Sequence, residues 1–227
     1  MIVKLISHTQ PDNIIGVDDV QELIAYCARV SNPDNQNNKE TSEKLIKYLI
    51  KNKHWSPLEM VNACIEIETT RDIARQILRH RSFSFQEFSQ RYADPTKDLT
   101  YDDGTSHETR DARLQDPTNR QNSVELDFTI PADRRLNENF RMQQMKIWWA
   151  AKKTYEWAIE NGIAKEQARA VLPEGMTVSR LYMNGTLRSW VHYIDLRSAN
   201  GTQKEHQAIA VACAKEIAKI FPLMSEL

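Results

Sequence analysis

Apolar residues alternate with polar ones in two runs of the chain, residues 61–67 and 124–130. The first run reads Val-Asn-Ala-Cys-Ile-Glu-Ile and the second Val-Glu-Leu-Asp-Phe-Thr-Ile. A period of two predicts a strand with one buried face. The second run is the clearest strand signal in the sequence, and Pro131 should end it. Further strands are predicted at residues 2–7 and 178–183.

Other segments have the spacing of three to four residues that is typical of helices. Asp18 can cap a helix that runs to about Arg29, and Thr41 or Ser42 can cap one that runs to about Lys53. Because strands and helices are mixed and no internal repeat is present, we predict the α+β class. Four more helices are predicted at residues 134–161, 165–172, 187–197 and 203–220.

The longest predicted helix, 134–161, is rich in large apolar side chains, and Gly162 marks its end. We expect these side chains in the core or at a subunit interface rather than as a platform for a ligand. They are Phe140, Met142, Met145, Trp148, Trp149, Tyr155 and Ile159.

Residues 94–122 contain turn signals and almost no large apolar residue. This composition predicts a long surface excursion or a partly disordered segment. The rest of the chain has the length of one domain, so we predict a single domain over residues 1–227 that includes this excursion.

Cations and polar groups are concentrated between Asp72 and Arg91. If Asp72–Arg79 is helical, Asp72, Arg75, Gln76 and Arg79 share one face, and apolar residues cover the other. Arginine forks bind phosphate through paired charge-assisted hydrogen bonds, so this polar stripe is suited to an anionic ligand. The alternative is an amphipathic helix whose arginines are solvated or paired with carboxylates.

Several motifs occur in a fixed order along the chain. Arg79-His80-Arg81 is followed after seven residues by Ser89. Together these motifs resemble the flavin-dependent thymidylate synthases, the ThyX family, from about residue 25 to 205. The other matching segments are Ala28-Arg29-Val30-Ser31, His54-Trp-Ser56-Pro57-Leu-Glu59, Ala168-Arg169-Ala-Val-Leu-Pro173 and Arg188-Ser-Trp190-Val-His192-Tyr-Ile-Asp-Leu-Arg197.

The resemblance implies an antiparallel sheet among mixed helices, and an enzyme that converts dUMP to dTMP. Methylenetetrahydrofolate would supply the carbon, reduced FAD the hydride, and NADPH the electrons that reduce the flavin. It also implies a homotetramer whose active sites are shared between subunits. Arg197 matches the residue that polarises the uracil and favours ionisation at N3, a catalytic role for a fixed cation. The positions that match dUMP-binding residues are Gln76, Arg79, Glu87, Phe88, Ser89, Gln90, Arg91, Arg169 and Arg197.

The resemblance also assigns a second set of positions to FAD. No Gly-x-Gly-x-x-Gly fingerprint occurs, so the flavin would not be bound as in a Rossmann fold. The segment between Pro173 and Thr186 is one residue longer than in the family, so Asn184 is an alternative to Thr186. His54 and His192 could also be core histidines. The FAD positions are His54, Ser56, Arg79, His80, Arg81, Glu87, Thr186, Leu187, Arg188 and His192.

The cysteines do not suggest a nucleophile. Cys27, Cys64 and Cys213 lack the Pro-Cys context of the classical thymidylate synthases and any evident activating base. Ser89 has no histidine and carboxylate pair to activate it, so we expect it to bind rather than attack. No metal site or disulfide framework is predicted, and three separated thiols favour the reducing cytoplasm.

Net charge and the length of apolar runs exclude further classes of function. The formal net charge is −1, which argues against a nucleic-acid polymer as the main partner and favours a small anion bound at a local positive cluster. No apolar run is long enough for a bilayer span or a signal peptide. The alternative to the enzyme is a non-catalytic module that binds a nucleotide or an RNA end through Arg79 and Arg81.

Overall fold

The computed structural model describes residues 1–226 and has the α+β architecture that the sequence predicts. The strands are β1 (Ile2–His8), β2 (Asn62–Thr70), β3 (Ser84–Glu87), β4 (Arg113–Gln115), β5 (Ser123–Glu125) and β6 (Val178–Thr186). The helices are α1 (Val20–Ala28), α2 (Ser42–Lys51), α3 (Arg71–Ile77), α4 (Pro131–Glu160), α5 (Lys165–Ala168), α6 (Leu187–Ser198) and α7 (Lys204–Ala218).

An antiparallel sheet of four strands, in the order β1-β2-β6-β3, forms the centre of the molecule. β2 and β6 pair along their whole length, from Asn62 opposite Thr186 to Thr70 opposite Val178. Apolar side chains of this sheet pack with residues of α1, α2, α3, α6 and α7 in one hydrophobic core. β2 is followed directly by α3, and β6 directly by α6, with no loop between them.

β2 is more deeply buried than its alternating pattern predicts. Glu66 and Glu68 lie on the face expected to be exposed, yet both are buried. Arg180 of the neighbouring β6 accounts for this, because its Nε donates to Glu68 Oε1 at 2.7 Å. A carboxylate can be buried at modest cost only when a cation and hydrogen bonds compensate it. The burial of Glu66 and Glu68 therefore depends on Arg180 of the neighbouring strand, which the alternating pattern of β2 alone does not reveal.

The prediction of a strand at 124–130 is wrong beyond its first residues. Only Ser123–Glu125 form a strand there, and they pair with β4 in a separate two-stranded sheet. Asp127 then forms a turn, because its Oδ1 accepts from the backbone N–H and the hydroxyl of Thr129. Such local bonds compete with strand pairing. Pro131 starts α4 at a position where the missing N–H costs nothing.

The segment 94–122 is an excursion that packs against the rest of the fold. Thr96, Leu99 and Ser106 are buried. Glu108 donates its N–H to the carbonyl of Met176 at 2.9 Å. Arg110 Nη2 pairs with Asp72 of α3 at 2.7 Å. These polar contacts hold a segment that offers few apolar side chains, so its packing is not evident from composition alone.

Most helix boundaries differ slightly from the predicted ones. Asp19, not Asp18, caps α1, since its Oδ1 accepts from Glu22 N–H at 2.8 Å. α2 follows Thr41, whose side chain makes no capping hydrogen bond. Gly162 has φ +78° and follows the end of α4, in the left-handed conformation expected of glycine there. Among residues 1–226 we find no helix with the length and apolarity needed to cross a bilayer.

Candidate active site

The connection between α3 and β3 places the Arg-His-Arg motif on a tight turn. α3 ends at Ile77, earlier than the sequence suggested, and the N–H of His80 bonds the carbonyl of Ile77 at 3.0 Å. The N–H of Phe83 then bonds the carbonyl of His80 at 3.2 Å, and β3 begins one residue later. Arg79 and Arg81 are exposed on this turn, while His80 is partly buried.

His80 lies against the end of α6. The Nε of Arg197 donates to His80 Nε2 at 2.9 Å, and the ring of Tyr193 meets the imidazole edge-on at a centroid distance of 4.9 Å. Burial and the charge of Arg197 lower the pKa of His80 to about 4. The imidazole is therefore neutral at pH 7 and accepts a hydrogen bond from the arginine, which keeps its full positive charge.

Gln76 of α3 lies against the start of α7. Its Nε2 donates to Gln203 Oε1 at 2.8 Å, and its Oε1 is 3.3 Å from His206 Nδ1. His206 is fully buried, and its Nε2 is 3.1 Å from the hydroxyl of Tyr193. Burial, with smaller effects from Arg197 and His80, lowers the pKa of His206 to about 4.

Glu87, at the end of β3, lies within a second cluster. Its carboxylate is 3.2 Å from Arg75 Nη1 and 3.9 Å from Arg71 Nη1, and it accepts from the hydroxyl of Ser179 at 2.9 Å. Burial lowers the pKa of Arg71, and the charges of Arg75 and Arg169 add to this, although Glu87 and Glu174 oppose it. Arg169 therefore contributes to the positive field around this cluster.

Residues 88–91 continue from β3 across the sheet edge. The N–H of Phe88 bonds the carbonyl of Arg180 at 2.8 Å, and Gln90 is buried. Ser89 Oγ accepts from the N–H of Arg91 at 3.4 Å. Arg91 is exposed and pairs with Glu166 of α5 at 3.3 Å. These side chains lie beside α5 rather than with His80 and Arg197.

The positions expected to bind FAD lie near both ends of α6. Thr186 caps this helix, with its hydroxyl accepting from Ser189 N–H at 3.2 Å, while Asn184 is exposed on β6. Arg188 pairs with Glu59. Leu187 is fully buried, so its side chain belongs to the core and only its backbone could face a ligand.

His192 and Trp55 mark a cavity on the outer side of α6. The Trp55 and His192 rings meet edge-on at 4.6 Å. The cavity has a volume of about 250 Å³ and also receives Asp195 and Ser198. His54 and Ser56, in the same segment as Trp55, are exposed. His192 is therefore not a core histidine.

The structure brings the predicted residues together in three groups rather than one. Gln76, His80 and Arg197 form the first, Glu87 lies in the second, where the charge of Arg169 acts on Arg71, and Trp55 with His192 form the third. Within residues 1–226, no carboxylate lies within 4.0 Å of a guanidinium nitrogen in four of the predicted arginines, whereas Arg91 and Arg188 do have such a carboxylate. The four are Arg79, Arg81, Arg169 and Arg197.

The three thiols are unsuited to nucleophilic attack. All are free. Burial raises the pKa of Cys27 and Cys64, and it raises that of the fully buried Cys213 furthest. Because the thiolate is the nucleophile, a raised pKa lowers the reactive fraction at neutral pH.

A family model described as thymidylate synthase complementing protein, Thy1, matches residues 4–223. The chain belongs to the Thy1 (ThyX) family. The resemblance that the motifs suggested is thereby confirmed. Two Thy1 relatives match almost end to end. A protein of Paramecium bursaria Chlorella virus 1, named a probable flavin-dependent thymidylate synthase, is 46% identical over 226 residues, which are 100% of this chain and 98% of the relative.

The second relative, the flavin-dependent thymidylate synthase of Synechocystis sp., is also 46% identical, over 99% of this chain and 98% of its own length. A solved structure shares the Thy1 fold at lower identity. The crystal structure of the UMP/dUMP methylase PolB from Streptomyces cacaoi, bound with 5-Br dUMP, superposes with a TM-score of 0.76 at 23% identity. It covers 99% of this chain and 93% of that one. This likeness confirms the fold of the Thy1 chain.

Several residues of this Thy1 site were not assigned from the sequence. Arg75 lies on the predicted polar stripe, so its pattern could have marked it as a partner of Glu87. Arg71, Tyr193, Gln203 and His206 had no such signal. Each lies in an ordinary helical pattern, and only the packing of α3, α6 and α7 brings them to Gln76, His80 and Glu87.

Proposed function

We propose that this chain catalyses the reductive methylation of dUMP to dTMP, with methylenetetrahydrofolate as carbon donor and NADPH as reductant. The observation that carries the proposal is that four of the predicted arginines have no carboxylate partner within residues 1–226. They are Arg79, Arg81, Arg169 and Arg197. A guanidinium that is not engaged by a carboxylate has the charge and the donor geometry to hold a phosphate.

dUMP would lie across the first two groups of residues. Ser89, Arg91 and Arg169 would hold its phosphate, and Glu87 would orient a ribose hydroxyl. Arg197 would face the uracil, where a fixed positive charge stabilises negative charge that develops on the ring. Gln76 and Arg79 would complete the contacts. Neutral His80 supports this role, because it accepts from Arg197 without cancelling its charge.

Bound FAD supplies the hydride chemistry that no side chain of this protein provides. The residues fit the group. Arg79 and Arg81 are exposed cations that suit its pyrophosphate, and His192 with Trp55 presents aromatic edges beside a cavity. Ser56, Arg188 and the Thr186 region would complete the set. We retain Asn184 beside Thr186, because Asn184 is exposed while Thr186 is engaged in capping α6.

The mechanism proposed here uses no cysteine nucleophile. The raised pKa of each thiol supports this, since a neutral thiol attacks poorly. The free thiols also support the proposed location in the cytoplasm. Activation of the pyrimidine would instead depend on binding next to Arg197.

We also propose a homotetramer with active sites shared between subunits. The separation of the site residues into three groups supports this, because a second copy could complete each group. The exposed apolar residues of α4 offer a contact surface: Leu136, Phe140, Met142, Ile147, Trp149 and Trp157.

The first test is an absorption spectrum of the purified protein after incubation with FAD and gel filtration. Retained oxidised flavin, followed by NADPH oxidation and dTMP formation that both require dUMP and methylenetetrahydrofolate, is the expected result. A protein that retains no flavin, yet binds dUMP or RNA with steep salt dependence, would instead be the nucleotide-binding module.

A further inference from the structure

Six polar side chains form one continuous hydrogen-bonded chain from the core to the excursion. Tyr193 and His206 are buried at its inner end, and Gln76 follows at 3.3 Å from His206. Towards the excursion, the hydrogen bonds continue from Gln76 to Gln203, then to Glu205, and finally to Arg113. The last link is the ion pair between Glu205 of α7 and Arg113 of β4.

The direction of each hydrogen bond in this chain follows from its outer end. An ionised carboxylate can only accept, so Glu205 Oε2 receives its 2.9 Å bond from the amide nitrogen of Gln203. The carbonyl oxygen of Gln203 then faces Gln76, which must present its own Nε2 at 2.8 Å. Burial alone would raise the pKa of Glu205, but hydrogen bonds, first among them that from Arg113, lower it.

The same reasoning continues inward to the buried histidine. Because the nitrogen of Gln76 faces Gln203, its Oε1 faces His206 Nδ1, which must carry the proton. His206 Nε2 is then unprotonated and accepts from the hydroxyl of Tyr193 at 3.1 Å. The lowered pKa of His206 agrees, since a neutral ring has one donor nitrogen and one acceptor nitrogen.

We infer that Glu205 and His206 are positioning residues that fix the amide of Gln76 in one orientation, so that it offers its second N–H to an acceptor oxygen of the nucleotide. This inference rests on the proposed function for the identity of the nucleotide. The hydrogen-bonded series from Tyr193 to Arg113, called the relay below, does not depend on the proposed function. A freely rotating amide could present either its N–H or its oxygen to a ligand. An amide fixed in this orientation presents only its N–H, and so it selects an oxygen of the ligand.

The acceptor oxygen belongs either to the phosphate or to the nucleoside. Comparing dUMP with deoxyuridine separates these sources. If the N–H of Gln76 meets the phosphate, a variant that frees the amide weakens dUMP binding and leaves deoxyuridine binding unchanged. If it meets the sugar or the base, both ligands lose affinity by the same factor.

The first experiment determines the tautomer of His206 and does not require a measurement of enzyme activity. Selective ¹⁵N labelling of histidine reports by NMR which ring nitrogen of His206 is protonated, and His206→Asn identifies the signal. We expect the Nδ1–H form in the unaltered protein. In Glu205→Gln, Arg113 still bonds the introduced carbonyl, so the introduced NH₂ faces Gln203. Both glutamine amides then reverse and His206 should change to the Nε2–H form.

The second experiment measures affinity by titrating dUMP into the FAD-loaded protein. In His206→Leu the amide oxygen of Gln76 loses its fixed donor, the Nδ1–H of His206, so Kd should rise about tenfold, and KM should rise more than kcat falls. His206→Asn, whose amide can replace the Nδ1 donor, should restore most of the affinity. His107→Leu is the matched control, because His107 is a partly buried histidine stacked on Trp148 at 4.7 Å, outside the relay.

An Nε2–H form in the unaltered protein, or an unchanged tautomer in Glu205→Gln, would overturn the inference. Equal dUMP affinity in His206→Leu and the unaltered protein would do the same. If the unaltered protein binds no dUMP while the tautomer changes as expected, the proposed function fails and the relay stands.

Discussion

Arg197 influences two histidines, one on the turn after α3 and one on α7. It donates to His80, and its charge contributes to the lowered pKa of both His80 and His206. A neutral imidazole next to a guanidinium leaves the positive charge available to a ligand. At the scale of single residues, the candidate site therefore combines a cation, Arg197, with neutral hydrogen-bonding groups beside it.

Replacing Arg79 with alanine should weaken both flavin and nucleotide binding. Arg79 is exposed at the turn after α3, and it matches both sets of binding positions. A charge-assisted hydrogen bond contributes about 1.5–3 kcal/mol, so we expect dissociation constants to rise roughly ten- to hundredfold. Retained flavin and dUMP titration measure the two effects. Arg134→Ala, an exposed arginine of α4, is the control. Normal flavin content and turnover in Arg79→Ala would disprove the assignment.

Stability should rise with pH between about 4 and 6.5. Burial and then Arg197 lower the pKa of His80 and His206 from 6.5 to about 4. In this interval the unfolded chain binds protons that the folded chain does not, so the free energy of unfolding increases with pH. The slope is at most about 1.4 kcal/mol per pH unit for each histidine. His80 is partly exposed, so His206 should contribute more.

Urea unfolding between about pH 5 and pH 6.5 measures this dependence above the range in which most carboxylates titrate. His206→Asn has no titrating ring and should flatten the curve. A slope equal to that of the unaltered protein would show that His206 does not cause the effect.

Single elements differ in how well the sequence predicted them. Strands β2 and β6 and helices α4, α6 and α7 follow from periodicity, because each has enough residues to show its buried side. β3 was missed, since its four residues are too few to show a period and it forms by pairing with β6. The 124–130 run failed for the opposite reason, because one aspartate formed a turn that the apolar pattern does not reveal.

The candidate site was predicted in part for a similar reason. Family motifs identify Arg79, His80 and Arg197, but not the residues that orient them. Gln203 and His206 reach Gln76 only through the packing of α7 against α3. A contact between residues separated by more than a hundred positions leaves no periodic signal in a single sequence.

Gly185→Ala should disrupt the element that carries the Arg-His-Arg motif. A Cβ at this buried position of β6 would overlap the ring of Phe83, which packs edge-on against Trp190 at 4.8 Å. Overpacking of this kind costs about 1–3 kcal/mol, and moving Phe83 would also move the turn before it. The melting temperature and the amount of retained flavin should both decrease.

The control for this substitution is Gly175→Ala, whose Cβ would have no neighbour closer than 3.9 Å. Adding Phe83→Leu to Gly185→Ala should recover part of the lost stability. Unchanged stability of Gly185→Ala would show that the ring moves freely and that the turn does not depend on it.

The whole molecule leaves a wide apolar surface on α4. Ile147 and Trp149 are each more than half exposed, whereas Trp148 between them is buried. If this surface joins subunits, Ile147→Asp should place a charge in the interface and dissociate the tetramer, because an unpaired buried charge is costly. Sedimentation velocity measures the assembly. Lys146→Asp introduces the same side chain at the adjacent exposed position and should leave it intact. A tetramer that persists in Ile147→Asp would place the interface elsewhere.

β2 continues directly into α3, and β6 into α6, without an intervening loop. No loop therefore separates α3, which leads into the Arg-His-Arg turn, or α6, which carries Arg197, from the two most extensively paired strands. Local opening of the site would have to break the central pairs, so its backbone amides should exchange with deuterium almost as slowly as those of the sheet. A ligand that binds there would raise the melting temperature of the whole domain, and a destabilised sheet would be detected first as lost affinity.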